Sequence, residues 1–405
     1  MIAKKPYAVV LGVNDTGYGI IRSLTVGNIP VIGFENNFSS PEIHTRLCKK
    51  IYQYHDHQHL LSLLLDFSSL LPEKPVLFIT SDPLVTFCSE NREMLSQYFR
   101  FHLPDYNIVT TLMEKQQFHG YAESHGFTIP RTVYYQGDTL SHNFLESLSP
   151  PYIIKPYMKS TSWKEAGLEK GIIFENAEGC SVQLPGLLAI EKNLVIQEYI
   201  PGGDDSVYFC LIYFDSNNVC QGSFCGQKVR QWPLLVGDTA SAIPVYGNMQ
   251  IASETIRFFS EIGYEGFGSM EFKQHRGNQK YYLIEPTVGR ADHQSHIATA
   301  NGINLPLIAY SLLTGSTFQT DAVNPPKDGI MWIDEPHEIV SILQTLYQKK
   351  STLIETIHSL RRKKVYRFFN INDPIPFMFL ILKFFQKLVQ TLVKSVKSRF
   401  DNDYC

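Results

Sequence analysis

The chain has 405 residues, 44% of them hydrophobic and 19% charged, with a formal charge of -3 at pH 7. That length is more than one core usually fills, so two or three domains are expected, and the near-neutral charge argues against a general nucleic-acid binder. The seven cysteines include no Cys-x-x-Cys pair and read as reduced thiols of a cytoplasmic protein, and the N-terminal Met-Ile-Ala-Lys-Lys-Pro is read as leading into a strand without a signal peptide.

Residues 7–11 form a β-rich run ending at Gly12, and Gly17-Tyr-Gly19 opens a helical pattern through Ile20, Ile21 and Leu24. A second strand at 29–34 completes a βαβ unit. The glycines lack Gly-x-Gly-x-x-Gly spacing, which sets a nicotinamide cofactor aside. A helix N-terminus offering bare amides to a substrate carboxylate is expected instead. His55-Asp-His57-Gln-His59 would place three histidines on one face of a strand, yet nothing nearby would orient them on a metal. A solvated loop before a leucine-rich helix at 60–71 is therefore expected. Residues 76–80 read as a buried strand with Ser81-Asp82 at its carboxyl end, where open α/β sheets place ligand contacts. The first domain closes near Tyr106.

After residue 108 the character changes. Thr110 to Lys115 precedes a helix through Phe118 and Tyr121, and then come Tyr152-Ile-Ile-Lys155-Pro156 and Leu194-Val-Ile-Gln197-Glu198-Tyr-Ile200-Pro-Gly202-Gly203-Asp204. In Gln227-Lys228-Val-Arg230 the two cations lie two apart on a predicted strand. They would point the same way, either toward an anionic substrate or into water. The segment Gly268-Ser-Met-Glu271-Phe-Lys-Gln and the run Gln279-Lys-Tyr-Tyr-Leu-Ile-Glu285-Pro-Thr287-Val-Gly-Arg290 read as a hairpin. If Glu271 lies opposite Glu285, Met270 and Phe272 face Pro286 and Ile284, so one face is apolar and the other carries both acids. That register needs an odd-numbered loop centred on Asn278. The pair is either solvated or bridged by a hard cation such as magnesium.

In this order and spacing the segments resemble the ATP-grasp superfamily, and within it the carboxylate-amine ligases that include D-aspartate ligase-like enzymes, over roughly residues 5–325. The resemblance implies an α/β (α+β ATP-grasp) architecture. A Rossmann-like pre-ATP-grasp domain (1–107) would precede a two-lobed ATP-grasp domain (108–325), with a nucleotide lobe at about 130–200, a metal-binding lobe at about 201–325, and a C-terminal extension at 326–405. Lys115 and Lys155 would neutralise nucleotide phosphates, Gln197, Glu198 and Ile200 would form the hinge that reads adenine, and Asp204 would take the ribose. Glu271 and Glu285 would bridge two magnesium ions to the phosphates. Two departures stand out. Met158-Lys-Ser160-Thr161-Ser-Trp163 replaces a glycine-rich phosphate loop, so closure would depend on the hydroxyls of Ser160 and Thr161 and on Lys159. Thr287 stands where the family's metal strand often has asparagine, and Arg290 is displaced by one position.

The implied activity is ATP-dependent joining of a carboxylate to an amine through an acyl phosphate, with Lys228, Arg230 and Arg290 as catalytic cations and ATP and magnesium as cofactors. Phosphorylation supplies the leaving group that a carboxylate lacks, and positioning and charge neutralisation do the rest. The implied partners are ATP and carboxylate and amine substrates of the amino-acid or uronic-acid class, which the basic C-terminal tail would bring to a cell-envelope or exopolysaccharide precursor. Two other readings stay open: a carboxylating or phosphorylating relative with no amine acceptor, and a nucleotide-binding scaffold without chemistry.

The resemblance does not cover the C-terminus. Residues 361–399 hold ten basic residues against one acid, Asp373. The apolar run Phe377 to Leu382 stops at Lys383, well short of the roughly 20 residues that span a bilayer. Lys383, Lys387, Gln390, Lys394 and Lys397 would form one polar stripe of a helix at about 377–399. An amphipathic helix on an anionic membrane surface is expected, so that a cytoplasmic protein would sit peripherally at the inner face of the membrane. Packing on the protein itself is the alternative.

Overall fold

The computed structural model describes residues 5–136, 144–158, 160–168, 170–245, 247–316, 329–349 and 352–386. Its first domain follows from apolar runs too short for helices. β1 (Ala8–Leu11) and β4 (Val76–Ile79) are buried along their whole length, as parallel strands covered on both faces are. Between them lie α1 (Asp15–Val26), β2 (Val31–Glu35), β3 (Cys48–Gln53) and α2 (His57–Ser69), and α3 (Asp82–Glu90) and α4 (Arg92–Tyr98) follow. The strands form one parallel sheet in the order β3-β2-β1-β4. β3 is the strand that sequence pattern did not reveal: it is a half-exposed edge carrying two lysines and no clean alternation.

Two expectations in this domain are corrected. The histidine segment is a helix start rather than a loop: Asp56 Oδ1 accepts the His59 amide at 2.8 Å, α2 begins at His57, and His55 stacks on His59 at 5.1 Å. Nor are the α1 amides bare. Asn14 Oδ1 accepts the Gly17 amide at 3.0 Å, and Asp15 Oδ1 accepts that of Thr16 at 2.9 Å. Asp15 would also repel an incoming anion. The glycines serve packing instead. Gly12 has φ +84°, and a Cβ on Gly17 would lie 2.0 Å from the Gly12 carbonyl oxygen, so only glycine lets α1 approach β1 this closely.

α5 (Tyr106–Met113) and α6 (Lys115–Ser124) lead into a small antiparallel lobe of β5 (Thr132–Gln136), β6 (Tyr152–Pro156), α7 (Thr161–Glu165), β7 (Ile172–Phe174), α8 (Ala177–Ile190) and β8 (Asn193–Glu198), with strand order β5-β8-β6-β7. This lobe has a core of its own, built on Tyr152, Ile154, Trp163, Leu184 and Ile196.

The large lobe contains β9 (Val207–Phe214), β10 (Cys220–Trp232), β11 (Asp238–Pro244), α9 (Met249–Glu261), β12 (Gly266–Gln274), β13 (Tyr281–Val288), α10 (His296–Ala300), α11 (Leu305–Thr314), β14 (Met331–Ile333), α12 (Glu335–Tyr347), α13 (Leu353–Ser359) and β15 (Lys364–Tyr366). They build a seven-stranded sheet in the order β13-β12-β9-β10-β11-β14-β15. Its core is continuous with that of the first domain. The stretch after residue 326 thus supplies two strands of this sheet, and it also clasps the first domain. Arg367 pairs with Glu42 at 2.9 Å, Asp334 at 2.8 Å and Asp15 at 3.8 Å. Buried Asp373 accepts from the Tyr18 hydroxyl at 3.1 Å, the Thr45 hydroxyl at 2.5 Å and the Arg46 amide at 3.1 Å. Residues 375–386 are helical, with Phe379 stacked on His44 at 3.4 Å. Among the described residues no helix is long and apolar enough to cross a membrane. The remainder of the expected amphipathic stripe, from Lys387 onward, lies outside the described residues, as does Lys159.

Candidate active site

The β12–β13 ribbon brings its two acids into register. Glu271 lies opposite Glu285 and Met270 opposite Pro286, while Phe272 faces Leu283 rather than Ile284. Ile284 is an extra residue in β13, a bulge. The bulge sets the parity that an odd-numbered loop was expected to provide, and the loop from His275 to Lys280 has an even count. Glu271 meets Lys228 of β10, Oε2 to Nζ at 2.6 Å. Burial opposes the Lys228 charge, but Glu271, Asp292 and Glu285 outweigh it and hold the ammonium above its ordinary value. Burial, with Glu285 and Asp292 adding to it, lifts the Glu271 carboxyl above its ordinary value despite Lys228. Glu285 is exposed, and among the described residues it makes no hydrogen bond or ion pair.

Lys228 and Arg230 do not share a face. Lys228 lies opposite Ala242 and Arg230 opposite Ser241, so Val229 is an unpaired residue that throws Arg230 out of phase. Arg230 binds Glu338 of α12 through Nε at 2.9 Å and Ser359 of α13 through Nη1 at 3.0 Å. It stands away from the acids, which corrects the expected catalytic pair. Arg290 donates through Nε to Asp82 Oδ1 at 2.5 Å, at the carboxyl end of β4. Burial opposes its charge, and Asp82 and Asp292 more than compensate. Thr287 lies opposite Ser269, two residues along the same face as Glu285.

The small lobe contributes Lys155, whose Nζ lies 3.3 Å from Gln197 Oε1. Burial holds it below the ordinary lysine value, against the pull of Glu285 and Glu271 across the cleft. Lys115 is the first residue of α6, and its Nζ reaches the Tyr157 carbonyl at 3.1 Å, just past Lys155. His119 sits beside both lysines. Burial, Lys155 and Lys115 push it down to about 4, so it adds no third cation. In the hinge, the Gln197 amide nitrogen donates to Thr132 Oγ1 at 2.8 Å, and Glu198 Oε1 accepts the Ser149 amide at 2.7 Å. The Tyr199 amide is taken by the Pro151 carbonyl at 2.8 Å, and Ile200 is buried beside it.

Three candidates are occupied differently from expectation. Asp204 accepts the Gln231 amide at 2.9 Å and the Leu235 amide at 2.7 Å, so its carboxylate staples the 231–235 loop instead of standing free for a ribose. Ser160 caps α7, accepting the Trp163 amide at 3.3 Å, and meets Ser162 at 2.7 Å, which makes the segment after Met158 a helix start. Thr161 is the exposed first residue of that helix.

The structure also adds residues that sequence reasoning missed. Lys273 is buried, with Nζ 2.8 Å from the Tyr199 hydroxyl and 4.0 Å from its ring centre. Its spacing of two from Glu271 was the available signal. Asp292 receives the Ser269 hydroxyl at 3.1 Å and the Gln294 amide at 3.1 Å. Lys170, beside β7, reaches Asp238 of β11 at 2.6 Å and ties the small lobe to the large one. No local pattern marked either of these.

The residues fit a hard cation in part. No group of three or more His, Cys, Asp or Glu among the described residues is placed to hold a metal. Two facing carboxylates, one of them exposed and without a partner among the described residues, suit a cation whose other ligands are phosphate oxygens and water.

The chain superposes on solved structures. N5-carboxyaminoimidazole synthetase from Staphylococcus aureus, solved with ADP, superposes with a TM-score of 0.58 over 78% of this chain and 79% of that one, at 13% identity. The L-amino acid ligase from Bacillus licheniformis gives 0.55 over 76% and 74%, at 12% identity. The fold is that of the ATP-grasp superfamily. A curated relative, the D-aspartate ligase of Enterococcus faecium, is 25% identical over 58% of this chain, which spans 57% of that relative's length. No family model matches the chain.

Proposed function

We propose that the protein is an ATP-dependent carboxylate-amine ligase, with ATP and magnesium as cofactors. The observation that carries this reading is the facing pair Glu271 and Glu285, with Lys155 across the cleft and Lys228 alongside. The similarity to a D-aspartate ligase and to an L-amino acid ligase structure supports the reaction class. Magnesium, held by Glu271 and Glu285 through two carboxylates, would neutralise phosphate charge when bound. Lys155 and Lys115 bind the nucleotide phosphates, and the backbone from Gln197 to Ile200 orients the base. Lys228, held fully charged by its acid neighbours, stabilises the negative charge that develops as the γ-phosphoryl group moves to the carboxylate. Arg290, steadied by Asp82, orients the acid. The amine then attacks the acyl phosphate and inorganic phosphate leaves. The acid and amine belong to the amino-acid or uronic-acid class. The basic, apolar stretch 361–399 supports a peripheral position on an anionic membrane at its inner face, beside an envelope or exopolysaccharide precursor.

The test is ADP release by the purified protein across a panel of amino acids and uronic acids. Acid-dependent release that rises with an added amine is expected. Release that ignores the amine would favour a carboxylating or phosphorylating activity, and no release with any acid would overturn the reading. Lys155→Met should weaken ATP binding at least about tenfold while holding or raising the melting temperature without nucleotide, because burial opposes its charge. Calorimetry giving unchanged ATP affinity would remove Lys155 from the site.

A further inference from the structure

Helices α12 and α13 are inside out. A surface helix of a water-soluble protein turns its apolar stripe to the core and its polar face to solvent. In α12, Glu338 and Ser341 are buried, whereas Ile339, Leu343 and Tyr347 are exposed, the last two at 61% and 89%. Spaced four apart, these three make one stripe. α13 repeats the arrangement: Thr356 is buried, while Leu353, Ile354 and Ile357 are exposed, Ile354 at 70%. The inward faces are held by polar contacts. Arg230 of β10 binds Glu338 of one helix and Ser359 of the other, so both hang from a single guanidinium. Among the described residues nothing covers these apolar side chains on their outer side.

The rim of this face is basic. Lys349 follows α12, Arg361, Arg362 and Lys363 follow α13, and all four are exposed. The acid among them, Glu355, gives its carboxylate to the Thr352 amide at 2.7 Å and hydroxyl at 2.9 Å, within the cap of α13. A second copy of the chain docked by a two-fold axis would set these like charges against each other. An anionic lipid surface neutralises them and accepts the aliphatic side chains at the depth of the headgroup and acyl boundary.

We propose that the outward faces of α12 and α13 lie on an anionic bilayer, with Ile339, Leu343, Tyr347, Leu353, Ile354 and Ile357 entering the interface. The inference names the same partner as the membrane part of the reading above, but it rests on different residues and needs none beyond Lys363. It makes docking a property of the folded large lobe, since Arg230 fixes both helices to β10.

Flotation of the full chain with equimolar phosphatidylcholine–phosphatidylglycerol vesicles tests it. The wild type is expected to float with these vesicles and to stay behind with phosphatidylcholine alone. Leu343→Glu combined with Ile354→Glu should lower the bound fraction at least about tenfold, since each exchange replaces buried apolar area by charge, and should leave the melting temperature unchanged. Lys394→Glu with Lys397→Glu should keep most of the binding. If the helix variant binds like wild type and the tail variant does not, the tail reading stands and this inference falls. If the wild type ignores the anionic vesicles, both fall. A wild-type dimer in sedimentation that the helix variant abolishes would replace the bilayer by a second copy.

Discussion

Two clusters of buried charge in this molecule are built on opposite rules. In the clasp of the C-terminal segment, Arg367 meets Glu42 and Asp334 directly and Asp15 at longer range, and Asp373 receives three donors. Each carboxylate there has a donor, although the buried Arg367 Nε has no acceptor. In the cleft, Glu271, Glu285 and Asp292 gather around Lys228, and Glu285 is left without a partner among the described residues. In the first arrangement each carboxylate has a donor as folded, and in the second Glu285 has none among the described residues. The difference teaches where to look for chemistry: at a charged group that the fold has gathered with others and left without a donor.

The largest expected effect breaks the clasp cluster. Arg367→Met strands Glu42 and Asp334, both almost wholly buried, and should destabilise the chain by about 3 to 5 kcal/mol in urea unfolding. A loss below about 1 kcal/mol would show that the clasp is not held by its ion pairs. Next comes the cleft cluster. Glu285→Gln should leave the melting temperature within a degree or two while lowering turnover by about a hundredfold to a thousandfold. Near-normal turnover in that variant would detach Glu285 from the chemistry.

The smallest effect sharpens the boundary between the two clusters. Burial holds Lys273 down to about 8, although Asp204 and Glu271 pull upward. Between pH 8 and the ordinary lysine value of 10.5 the unfolded chain binds this proton more readily than the folded one. The penalty is therefore complete below pH 8 and fades as pH rises toward 10.5. Lys273→Met should raise the melting temperature slightly at pH 7 and lose that advantage near pH 10.5. A gain that persists unchanged at high pH would mean that packing rather than charge is responsible.

What could be read in the sequence was whatever depends on spacing within one element. The pairing of Glu271 with Glu285 was read as a strand register, although the Ile284 bulge rather than the turn delivers it, and the βαβ start follows from short apolar runs separated by a glycine turn. What escaped depends on irregularity or on long range. The extra Val229 in β10 separates Lys228 from Arg230, and no pairwise spacing predicts a bulge. Asp204, read as free beside a Pro-Gly-Gly turn, is claimed by the Gln231 and Leu235 amides, at 27 and 31 residues' separation. The Lys170–Asp238 pair spans 68 residues and two lobes, and Asp292 gains its place only when its loop folds back over β12.

The extra residue Ile284 has a bearing on how this ribbon tolerates insertions and deletions. Because the bulge lies between the acids and the turn, the two-residue alternation is reset before it reaches Glu285. The turn from His275 to Lys280 can therefore gain or lose residues while the bulge keeps the acids in phase. Deleting Ile284 alone would shift the phase by one residue and swing Glu285 to the apolar side. A tolerant exposed tip and an intolerant interior position would be two sides of the same geometry.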